Sequence, residues 1–90
     1  MTPRTINCAR LVRDGGIDAM AALNDALREA TAGLDPQDQR ELKLAFGQVM
    51  GEISEKLINP AVQAFPELKP DESTWVNVAK ARAAARSDAV

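Results

Sequence analysis

Ninety residues with a net charge of −2 and a pI near 5.0 describe one small domain with no overall electrostatic pull toward nucleic acid or an anionic membrane. With no histidine, no tyrosine and a single cysteine, Cys8, the chain lacks the side chains for His-dependent triads, for His or Cys zinc sites and for an intrachain disulfide. No apolar run is long enough to span a bilayer, and Arg10, Arg13 and Asp14 interrupt the apolar core that a signal peptide would need, so a cytoplasmic protein is expected.

Hydrophobic residues make up 46% of the chain, but alanine supplies much of that share, and the aromatics are only Phe46, Phe65 and Trp75. Burial is worth roughly 25 cal/mol per Å² of apolar area, so methyl groups add little and the core is expected to be thin. A small domain of this kind gains from covering further apolar surface by self-association.

In chain order, Thr2 suits a helix cap with Pro3 at the first helical position. Cys8, Ala9, Leu11 and Val12 then share a face, and Gly15-Gly16 is expected to end this short N-terminal helix. A strand is the rival reading, but no second strand-like run exists to pair with it. Cys8 is expected to behave as a small, half-buried hydrophobe, because no histidine is present to activate it.

Residues 17–32 form an amphipathic helix, with Ile17, Met20, Leu23, Leu27 and Ala30 on one stripe and Asp18, Asp25 and Glu29 facing away. Ala19, Ala22 and Ala26 make its back smooth enough for a close neighbour. Gly33 suits a left-handed C-cap, Asp35 an N-cap and Pro36 the first turn of the next helix. So short a link forces an antiparallel hairpin.

The second helix, residues 35–59, is expected to be the central one. Leu42, Phe46, Val49, Met50, Ile53 and Leu57 recur at helical spacing and match the stripe of the preceding helix. Leu44, Gly47, Gly51, Ser54 and Ile58 form a second, unassigned face, and Gly47 and Gly51 one turn apart would let another backbone approach closely. Pro60 kinks or ends this helix, a turn or two carries Val62 and Phe65, Pro66 stops it, and Leu68 points inward. A third helix starts near Pro70, with Trp75, Val78, Ala79 and Arg82 on one face and Lys80, Arg82 and Arg86 toward its C-terminal end.

The expected fold is all-α: one domain over residues 1–90, a small antiparallel bundle of a helical hairpin, a C-terminal helix and a short N-terminal one. No residue set points to a catalytic, cofactor or metal site. Glu52 and Glu55 share a helix side, but Glu52 with Lys56 is better matched to a weak i,i+4 ion pair on a solvated face. The expected function is a non-catalytic one exerted through protein–protein contacts, by a homodimer or with an unidentified protein partner. The candidate interface residues are Leu44, Gly47, Gly51, Ser54, Ile58 and Trp75. The alternative is a small nucleic-acid-binding regulator using Lys80, Arg82 and Arg86, which the alanines around these residues do not favour.

Overall fold

The computed structural model describes residues 3–88. Its elements are α1 (Ile6–Thr31), α2 (Pro36–Ile53), a π-helical turn (Ser54–Ile58), α3 (Asn59–Ala64), a 3₁₀ turn (Pro66–Leu68) and α4 (Glu72–Asp88). The fold is an all-α small helical bundle, with no strand among the described residues.

α1 is one uninterrupted helix of 26 residues, which corrects the expectation of a break at Gly15-Gly16. The cap is Thr5, whose hydroxyl oxygen accepts from the Cys8 amide at 3.1 Å. The proposed cap at Thr2 lies outside the described residues. Each interior glycine costs a helix about 1 kcal/mol relative to alanine. At Gly16 that cost has a return in packing: a Cβ there would lie 2.8 Å from Ile58 Cγ1 and 3.5 Å from Ile53 Cγ2. The missing side chain lets the end of the hairpin press onto the backbone of α1. Tertiary contact, which local propensity does not record, carries the helix through both glycines.

At its far end α1 stops as expected. Gly33 takes a φ of +81°, the Leu34 amide donates to the Thr31 carbonyl at 3.2 Å, and Asp35 Oδ1 accepts from the Asp38 amide at 2.9 Å. Gln39 Nε2, from the first turn of α2, donates to the Leu34 carbonyl at 2.9 Å and straps the turn closed. α2 then returns along α1 as the second arm of the hairpin.

Pro60 does not end the returning helix. Proline has no N–H and its ring crowds the carbonyl four residues back, here that of Lys56. The chain widens just ahead of it, and the Asn59 amide donates to the Ser54 carbonyl five residues back. α3 follows directly, and Phe65, with φ −137°, leaves the helix before Pro66. Leu68 points inward and is buried.

α1, not α2, is the central element. It touches α2, the π turn, α3, the 3₁₀ turn and α4, whereas α2 and α4 make no close approach to each other. About 39 Å of helix at 1.5 Å per residue spans most of the molecule's 46 Å length. Packing is tight at one end only. Ala9, Ala61 and Leu68 form a buried cluster with Phe65 against it, and Ile17 and Ile58 are buried beside Gly16. Arg13 seals this end: Nη1 donates to the Leu68 carbonyl at 3.0 Å while Nε reaches Asp14 Oδ1 at 2.9 Å. Toward the hairpin turn, Leu23, Leu27, Leu42 and Phe46 are only half-buried.

The two adjacent glycines should respond oppositely to substitution. At Gly15 a Cβ would meet nothing within 4 Å, so Gly15→Ala should raise unfolding stability by about 1 kcal/mol. Gly16→Leu should lower it by roughly 1–3 kcal/mol through overpacking against Ile58. Urea denaturation of the two variants beside the unsubstituted chain measures both.

Candidate interaction surface

α2 carries most of the residues singled out from the sequence, and the fold divides them. Leu44, Gly47 and Gly51 lie on its outer side; Leu44 is 66% exposed, and nothing comes within 4 Å of a Cβ built on either glycine. Ser54 and Ile58 turn instead toward α1. The Ser54 hydroxyl donates to the Met20 sulfur at 3.5 Å, and Ile58 is buried over Gly16. Ser54, still in α-helical phase, lies on the flank toward Met50, and the π turn accounts for the place of Ile58. Each of its residues advances less around the axis than in an α-helix, because its hydrogen bonds close on i→i+5. Residues after its start therefore lag, and Ile58 moves from the line of Gly47 and Gly51 toward that of Met50.

Trp75 does not join the Leu44 face. It is half-buried on α4, lining an open groove of about 390 Å³ whose floor is Met20, Ala21 and Asn24 of α1 and whose opposite wall is Met50 of α2. No charged side chain lines this groove. It exists because α2 and α4 both dock on α1 and not on one another. No local pattern in the sequence announces it.

Other apolar side chains also stay at the surface. Val49 and Leu57, expected on the inward stripe of α2, are exposed, as are Leu11 and Val76. Cys8 is exposed rather than half-buried, because it falls on the solvent side of α1 when Ala9 is buried.

A few of the charged residues fasten elements together. Asp18, expected to face away, is a correction: it accepts from Arg82 Nε at 3.3 Å and from Arg86 Nη1, joining α1 to α4. Burial pushes the Asp18 carboxyl up, but the hydrogen bonds and positive charge of Arg86 and Arg82 outweigh it and hold its pKa below the ordinary value. Two members of the basic cluster are thus engaged within the chain, and Lys80 stays exposed nearby. Asp71 caps α4, accepting from the Thr74 amide at 2.8 Å and from the Ser73 and Thr74 hydroxyls. Those donors hold its carboxyl below the usual range, the Thr74 amide first among them. The expected Glu52–Lys56 pair is present at 3.7 Å on an exposed surface, and Glu55 is exposed too.

Among the described residues, no three Cys, Asp or Glu side chains gather as metal ligands, and no helix is long and apolar enough to cross a membrane. Comparison with protein-family models, curated proteins and solved structures finds no match. The arrangement therefore offers surfaces: an outer face on α2, an uncharged groove beside Trp75, and scattered exposed aliphatic side chains.

The Asp18 pairs give a signed pH dependence. A carboxyl whose folded pKa is depressed stabilises the fold fully above its unfolded pKa, and that contribution is lost as pH falls through the folded value. Asp18→Asn should cost about 1 kcal/mol at neutral pH, with the difference from the unsubstituted chain shrinking in acid. Hydrogen exchange should show the loss first as weaker protection of α4.

Proposed function

We propose that this chain is a non-catalytic interaction protein that acts through protein–protein contacts, with self-association as its basic mode. The observation that carries the reading is that neither α2 nor α4 contains a single buried residue. Half of each helix's surface in a finished bundle would be covered; here the covering stops at the side that meets α1.

The overall dimensions support the same reading. The radius of gyration is 14.8 Å, against roughly 12 Å for a compact domain of this length. The accessible surface is 6179 Å², against roughly 5,100 Å² for a folded monomer of this mass. The exposed positions include large aliphatic residues, Leu44 and Leu11 the most open of them. A cytoplasmic setting fits the unpaired, exposed Cys8. The nucleic-acid reading has less support, since Arg82 and Arg86 are already paired with Asp18.

Light scattering at micromolar concentration should give twice the 9.7 kDa chain mass. Leu44→Glu should shift the protein to monomer while circular dichroism keeps its helix signal. A chain that is monomeric at every concentration overturns self-association. Salt-dependent binding to mixed duplex DNA would favour the other reading instead.

A further inference from the structure

We propose that two copies of this chain pair antiparallel through α2 across a two-fold axis, with Lys43 of each copy against the partner's Glu55 and the Gly47–Gly51 segment at the crossing. This rests on the self-association reading above and gives it a geometry.

Lys43, Gly47 and Gly51, four residues apart on α2, form one oblique ridge row, and Glu55, one residue past the start of the π turn, continues it with a small lag. All four are exposed, and neither Lys43 nor Glu55 takes part in an ion pair among the described residues. Reversing the row exchanges Gly47 with Gly51 and Lys43 with Glu55. It is therefore complementary to an antiparallel copy of itself, with opposite charges meeting at both ends. A parallel copy would set lysine on lysine and glutamate on glutamate, which is repulsive. A two-fold axis is also the commonest symmetry by which a chain covers its own surface.

Rows of this kind pack on each other at a crossing of about −50°, close to the roughly −40° crossing that small residues allow. Glycine inside a helix is unfavourable relative to alanine, and nothing in the chain itself occupies the space at either position. Leu44, three residues before Gly47 on the same side, is open to supply apolar contact beside the crossing. The chain as a whole exposes about 1,000 Å² more than a compact monomer of its mass, a surplus comparable to the roughly 800 Å² that each partner covers in a standard interface.

Sedimentation equilibrium on the full chain tests the pairing by charge exchange. Lys43→Glu and Glu55→Lys should each weaken dimerisation about tenfold or more, because each places like charges together twice across the axis. The double variant K43E/E55K should recover to near the original affinity. Both positions are exposed, so helix content by circular dichroism should be unchanged in all three variants. Gly51→Ala should weaken association without lowering helix content. A dimer indifferent to the single reversals, or not restored by the double one, overturns this geometry and leaves self-association standing. A monomeric unsubstituted chain overturns both.

Discussion

The rest of the structure depends on the contact between the bare backbone at Gly16 and the side chain of Ile58. Without a Cβ at position 16, Ile58 settles on α1 closer than a larger residue would allow without a shift, and Ile53 packs beside it. That seat fixes where the hairpin closes. It also fixes where the chain emerges to build α3 and the 3₁₀ turn, and so where Leu68 and the Arg13 bond to its carbonyl fall. The π turn ahead of Pro60 serves the same contact, because its lag rotates Ile58 inward.

From this anchored end the packing loosens along the molecule. Ile17, Ile58, Leu68 and the two buried alanines hold one end, while the hairpin arms near Leu27 and Leu42 are half-covered. α4 is held against α1 alone, by the half-buried Trp75, Val78 and Ala79 and by the two arginines on Asp18. Its last residues, from Ala81 to Asp88, are exposed throughout. Surface ion pairs of this kind are worth little individually. The fold is therefore firm where apolar side chains meet backbone and weakly fastened where charges meet charges. A protein with this distribution has surface left to offer, and the outer side of α2 offers the most regular part of it.

Much of the fold was legible in the residues themselves. The Gly33 to Pro36 turn, the Asp35 cap, the inward Leu68 and the Glu52–Lys56 pair all follow from rules that act within a few residues. The candidate surface was legible in part. Leu44, Gly47 and Gly51 stay open on α2, but Ser54 sits on the flank that meets α1, and Ile58 leaves their line because the π turn changes the helical phase. The groove beside Trp75 had no sequence signal, since it is the space between two helices that share α1.

By itself the sequence determined an all-α chain, its helix caps and the hairpin, because capping, glycine and proline act locally. Tertiary structure decided that α1 runs through Gly15-Gly16 and sits at the centre, and that Asp18 faces α4. It also decided which side of α2 remains uncovered. These depend on the approach of segments far apart in the chain, such as Gly16 to Ile58 and Asp18 to Arg82. Helical periodicity says which residues share a face and carries no information on which neighbour that face will meet.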